Sequence, residues 1–173
     1  VSRLDVAVEE MVSNGHTAAK LKIGFGLDAD VALLERFKTV AGGQLAAMAD
    51  ANQNWSLTEA KGALRALADY DLRFVEEPLA SDAPQADWAE LAAFSPLPIA
   101  AGENISSEQS FHDFATQGGV RVLQPDVAKW GGVSGALAVG RDVLNAGATC
   151  AMHYMGTGLG LAASVHVMAA MGC

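Results

Sequence analysis

Six side chains capable of acid–base or metal chemistry recur at nearly even intervals: Lys22, Asp50, Glu76, Glu103, Asp126 and His153, separated by 28, 26, 27, 23 and 27 residues. Each ends or closely follows a short apolar stretch, in "AKLKIGF", "QLAAMADA", "LRFVEEP", "LPIAAGEN", "RVLQPDVA" and "ATCAMHY". One polar residue at a strand end is ordinary solvated surface. Six in step, all of ligand or catalytic type, point to one shared site. Asp50, Glu76 and Glu103 are carboxylates, and clustered carboxylates repel and take up protons unless a cation neutralises them. An all-oxygen donor set without Cys or His favours a hard ion, Mg²⁺ first and Mn²⁺ second. Lys20 and Lys22 are separated only by Leu21, so in a strand they share a face. Two adjacent ammonium groups repel, which makes one of them a usable general base beside such a cluster.

The elements that must position these groups are legible in the same pattern. Helical periodicity occupies the intervals near 28–41, 57–70, 83–94, 107–117 and 132–146, with further stretches at 3–14 and 159–171. Ser56–Glu59 and Ser106–Gln109 have the spacing of capping boxes. Gly15, Gly42, Gly118 and Gly147 stand where helices should end. His16, His112 and His166 fall in helical patterns and read as surface or packing residues. Strict strand–helix alternation with near-continuous apolar strands predicts parallel βα units, hence the α/β class. A (β/α)₈ TIM-type barrel collects its active site at the C-terminal strand ends, as the spacing requires. The rival, a doubly wound open sheet, would gather its chemistry at one switch point. No linker or low-complexity segment interrupts residues 1–173, which read as one domain.

At 51% hydrophobic and 18% charged residues, the composition is that of a globular chain. A net charge of −9 argues against nucleic acid or an anionic membrane as partner. It admits a small anionic substrate, because a local cluster of cations can override the global charge. Cys150 and Cys173 show no metal spacing and read as reduced thiols of a cytoplasmic protein. No apolar run reaches the roughly 18 residues of a membrane span. Arg3, Asp5, Glu9 and Glu10 interrupt the opening residues against a signal peptide.

The stretches "KLK", "DANQNW", "FVEEPL", "AGEN", "QPDVAKWGGV" and "MHYMGTGLGLAASVH" occur in the order and spacing of the enolase superfamily, and the sequence resembles its mandelate racemase subgroup across nearly the whole chain. The resemblance implies Asp50, Glu76 and Glu103 as the metal ligands and Lys22 as one general base. It implies Lys20 as the residue that tunes Lys22 and faces the substrate carboxylate. His153 would be the acid or base on the opposite face, oriented by Asp126, and Asn52 would touch substrate. Glu103 followed by Asn104 fits this subgroup, whereas the muconate-lactonizing and dipeptide-epimerase branch usually shows Asp-Glu-Ser there. Lys129 lies near the far-side lysine of that branch and is expected to play a supporting or structural part, as is Glu77.

By the same resemblance the chain covers about strands 2–7 of an incomplete barrel. The N-terminal capping domain and the last strand are expected to lie outside it. The implied chemistry is Mg²⁺-dependent removal of a proton α to a carboxylate through an enediolate. Acid-sugar dehydration is the favoured outcome and 2-hydroxyacid racemisation or epimerisation the alternative. A metal-binding barrel fragment without activity is the reading from another class. The expected partner is a small carboxylate, a sugar acid or 2-hydroxyacid, with homo-oligomerisation in the full-length protein.

Overall fold

The computed structural model describes residues 3–172. Its contacts separate two compact units: residues up to Ala80 with Ser95–Leu97, and Ser81–Phe94 with Pro98 onward. The first unit runs α1 (Arg3–Ser13), β1 (Ala18–Lys22), α2 (Leu27–Ala41), β2 (Ala46–Asp50), α3 (Leu57–Ala66), a 3-10 turn (Ala68–Tyr70) and β3 (Val75–Glu76). The second runs α4 (Gln85–Phe94), β4 (Ile99–Ala101), α5 (Glu108–Thr116), β5 (Val122–Leu123), α6 (Gly132–Asn145), β6 (Thr149–Cys150) and α7 (Gly158–Met171). Within the first unit β2 pairs in parallel with β1 and β3, and within the second β5 pairs in parallel with β4 and β6. Each apolar stretch of the sequence contains a strand, and each helical pattern a helix.

Local causes are visible element by element. In β1 the period of two buries Ala19 and Leu21 and turns Lys20 and Lys22 away from that core. Helix α3 starts at the expected capping box: Ser56 caps the Glu59 amide, and the Glu59 carboxylate accepts the Ser56 N–H at 2.8 Å. Helix α2 ends on left-handed Gly42, φ 57°. α1 meets α2 through buried Asp5, which accepts two hydrogen bonds from Arg36 at 2.9 and 2.6 Å. In the second unit Trp88 is fully buried against Phe114, ring centroids 5.0 Å apart. α6 and α7 approach so closely at Gly140 that a Cβ there would lie 2.0 Å from Met171 Sδ.

Two expectations need correction. The cap of α5 is Ser107, not Ser106, because its hydroxyl accepts the Ser110 N–H at 3.1 Å. Gln109 is thereby freed from any box and donates to Asp113 Oδ1 instead. His16 lies beyond α1 in the loop, since the chain has already turned at Gly15, φ 77°. Gly118 stands directly after the Gln117 C-cap of α5, as expected, and the left-handed residue is the next one, Gly119, φ 67°. Cys150 is buried, whereas Cys173 lies outside the described residues.

Candidate active site

Strand register assembles the first group. Lys22 is level with Asp50, and Asp50 with Glu76, so three functional residues form one row at the C-terminal ends of β1, β2 and β3. Asp50 and Glu76 are almost completely buried, and a buried carboxylate needs a counter-charge or several donors. The lysines provide both. Lys20 Nζ lies 2.7 and 2.6 Å from the two Glu76 oxygens and 3.5 Å from Asp50 Oδ2. Lys22 Nζ lies 2.5 Å from Asp50 Oδ2 and 2.7 Å from Asn52 Oδ1. The Asn52 N–H completes the Asp50 carboxylate at 2.9 Å. Lys20 is the more enclosed lysine, its side chain 30% exposed against 56% for Lys22.

The second group comes from the loops after β4, β5 and β6. Asp126 Oδ2 lies 2.7 Å from His153 Nδ1, while its Oδ1 accepts the Ala128 N–H at 2.7 Å. Those two bonds fix the carboxylate and, through it, the imidazole plane. His153 Nε2 contacts Glu103 Oε2, and Lys129 Nζ reaches the same oxygen at 3.5 Å. Asn104 donates to Glu103 Oε1 at 3.3 Å. Glu103 follows Gly102, whose φ of 155° and missing Cβ let the chain pass against the backbone of Gln124.

All three expected metal ligands therefore lie against cationic or histidine side chains. Among the described residues, no three His, Cys, Asp or Glu side chains are gathered closely enough to hold a metal ion as they stand. The donor chemistry nevertheless suits a hard dication: the candidate atoms are all carboxylate oxygens, and Asp50 and Glu76 are buried where they already demand positive charge. A cavity of about 600 Å³ opens at the other end of β1 and β2, beside Thr17, Ala46 and Arg73. It contains none of these groups.

Sequence reasoning missed two contributors. Asp30, almost fully buried, accepts the Gly24 and Phe25 N–H groups at 2.9 and 3.2 Å and so shapes the loop after β1. Its signal was an acid in the first turn of α2. Gln53 and Glu77 join Asn52 in the left-handed region, with φ of 63°, 41° and 46°. No residue type in "DANQNW" or "FVEEPL" announces that. Trp55 and Trp130 are half-buried, and His112 makes an exposed 2.8 Å contact to Asp142.

Parallel βα units with Lys, carboxylates and a His–Asp pair at or just beyond their strand ends have the build of an α/β barrel. The chain belongs to the enolase C-terminal domain-like family, whose model matches residues 3–173. It is similar to the D-galactarolactone cycloisomerase of Agrobacterium fabrum, 30% identical over 99% of this chain and 46% of the relative. The hydrophobic dipeptide epimerase of Enterococcus faecalis is 30% identical over 93% of this chain and 46% of its own length. The arabinonate dehydratase of Saccharolobus solfataricus is 29% identical, over 92% and 43%. Among solved structures, a mandelate racemase/muconate lactonizing enzyme from Bordetella bronchiseptica matches with TM-score 0.92 and 42% identity, over 98% of this chain and 47% of that one. A racemase from Streptomyces coelicolor with bound magnesium matches with TM-score 0.88 and 28% identity, over 96% and 45%. The chain thus carries part of an enolase-superfamily barrel and spans about half the length of these relatives. No helix among the described residues is long and apolar enough to cross a membrane.

Proposed function

We propose that this chain carries the acid–base centre of an Mg²⁺-dependent enzyme that removes a proton α to a carboxylate, and that its reaction is dehydration of a sugar acid. The observation that supports this most is the in-register row Lys22–Asp50–Glu76, which sets a lysine base beside buried acids. Asp50, Glu76 and Glu103 would hold Mg²⁺, which when bound anchors the substrate carboxylate and offsets charge developing on it. Lys22 takes the α-proton. Lys20 faces the substrate carboxylate and, by its neighbouring charge, tunes Lys22 as a base. His153, oriented by Asp126, donates a proton to the departing β-hydroxyl, which leaves as water. The resulting enol takes up a proton at the β-carbon and becomes a 2-keto-3-deoxy acid. If His153 instead returns a proton to the α-carbon, the same groups racemise or epimerise a 2-hydroxyacid, a reading favoured by bases from two separate strands.

Two measurements test the proposal. Mg²⁺ at one hundred times its Kd should stabilise the chain by about 2.7 kcal/mol, and Asp50→Asn or Glu76→Gln should remove that shift. Incubation with a panel of sugar acids in D₂O should give Mg²⁺-dependent keto acid, detected as its semicarbazone. Deuterium at the α-carbon without keto acid would favour racemisation. Mg²⁺ stabilisation with neither product would leave only a metal-binding barrel segment.

A further inference from the structure

Three of the four non-glycine residues with positive φ among the described residues lie at the ends of β2 and β3: Asn52, Gln53 and Glu77. Left-handed backbone is tolerated by Asn but costly for Gln and Glu, and such strain persists only where the surroundings enforce it. Here one hydrogen bond joins two of the three, from the Gln53 N–H to the Glu77 carbonyl at 2.7 Å. Flanking it, the Ala51 N–H bonds to the Glu76 carbonyl at 2.9 Å and the Trp55 N–H to the Pro78 carbonyl at 3.3 Å. The parallel ladder therefore continues past both strands through residues that would ordinarily leave it. The fourth case, Asp71, follows a 3-10 turn and has no such partner arrangement.

The strained turn has a specific consequence at Asn52. With φ at 46°, its N–H points back to Asp50 Oδ1 at 2.9 Å, while its side-chain Oδ1 accepts from Lys22 Nζ at 2.7 Å. An extended residue here would share the face of Asp50 but run onward along the ladder, whereas the turn brings both the N–H and the side-chain oxygen of Asn52 back to the Asp50–Lys22 pair. We infer that Asn52, locked by the left-handed clasp between Gln53 and Glu77, is a positioning residue that holds the Lys22 amine in place. This role goes beyond the substrate contact expected of Asn52 by family resemblance, and for its catalytic consequence it rests on the proposed proton abstraction by Lys22. A long, more than half-exposed lysine side chain has many rotamers. Proton transfer needs one of them, and ångström-scale misplacement costs rate rather than binding.

The test has a readout that needs no substrate. Lysines of the intact chain are reductively methylated with ¹³C-formaldehyde, and the Lys22 dimethylamine is assigned with Lys22→Arg. In the parent protein its two methyl groups should be inequivalent, because the amine is held. Asn52→Ala should draw the two signals together, because Asp50 Oδ2 alone leaves the amine free to turn about that one contact. Asn52→Gly, which suits the positive φ, should do the same if the alanine variant fails to fold. Gln53→Gly should narrow the separation without lowering the melting temperature, since it relieves strain while loosening the clasp. With a sugar acid that is turned over, Asn52→Ala should lower kcat at least tenfold and change KM less than threefold. A separation between the methyl signals that is unchanged in both Asn52 variants would overturn the inference. If the parent protein turns over no sugar acid, the proposed function fails while the methyl signals still decide the positioning role.

Discussion

At the residue scale, the site depends on one glycine as much as on its charges. Gly102 precedes Glu103, and a Cβ there would fall 2.3 Å from Gln124 N and 2.7 Å from Gln124 Cα, both backbone atoms that cannot swing aside. Its φ of 155° adds a conformation that side chains rarely adopt. Gly102→Ala should therefore destabilise the chain by about 1–3 kcal/mol, the usual range for overpacking. The urea midpoint should fall accordingly, and an unchanged midpoint would mean that β4 and β5 separate more easily than this contact implies. The site was partly legible at this scale. Residue type and spacing singled out Lys22, Asp50, Glu76, Glu103, Asp126 and His153, because ligands and bases must be of particular types. The ion pairs that occupy Asp50 and Glu76 and the strain at Gln53 and Glu77 were not legible. Both arise from the approach of separate strands, which no local pattern encodes.

At the element scale, boundaries follow the residues that satisfy the first amide groups of each helix. α3 begins as the Ser56–Glu59 spacing predicts, and Ser56→Ala should cost about 1 kcal/mol. The Glu59 carboxylate is held below its ordinary value by hydrogen bonds from the Ser56 hydroxyl and then the Ser56 N–H. A depressed value in the folded state means that the unfolded state binds more protons as pH falls, so stability from this group is present above its unfolded pKa and lost below it. The stability difference between the parent chain and Glu59→Gln should be flat above about pH 5 and close as pH drops through the depressed value. Chemical denaturation at pH 7, 5, 4 and 3 measures it, and a gap that widens with acid would refute the assignment. The same rule explains where reading by pattern slipped. Ser106 and Ser107 are adjacent candidates for the cap of α5, and only the folded backbone decides that the second hydroxyl meets an amide. Strands were legible because buried parallel strands are runs of apolar residues. Their ends were not, since pairing in β3, β5 and β6 is confined to two residues each.

At the scale of the whole molecule, surface apolarity is unevenly placed. α7 carries Leu159, Leu161 and Val165 at 82%, 49% and 57% exposure, and Met155 before it is 75% exposed. A helix that is apolar on all sides normally lies buried, whereas α7 buries Ser164 and Val167 on its packed side and leaves leucine and valine in water. Among the described residues β1 is hydrogen-bonded to one neighbour only, and an unpaired strand edge templates pairing with another chain. The net charge of −9 opposes association, but screening shortens its reach to about 8 Å at physiological ionic strength. The 173-residue chain by itself should therefore self-associate, and more strongly as salt is raised. Sedimentation velocity from 5 to 200 μM, at low and at physiological salt, should show a weight-average mass that rises with both variables. Leu159→Lys combined with Val165→Glu should return the chain towards monomer without shifting its urea midpoint, because neither side chain is packed. A monomer across the whole concentration range would show that these apolar side chains and the β1 edge are tolerated in water, and that the charge is sufficient to keep copies apart.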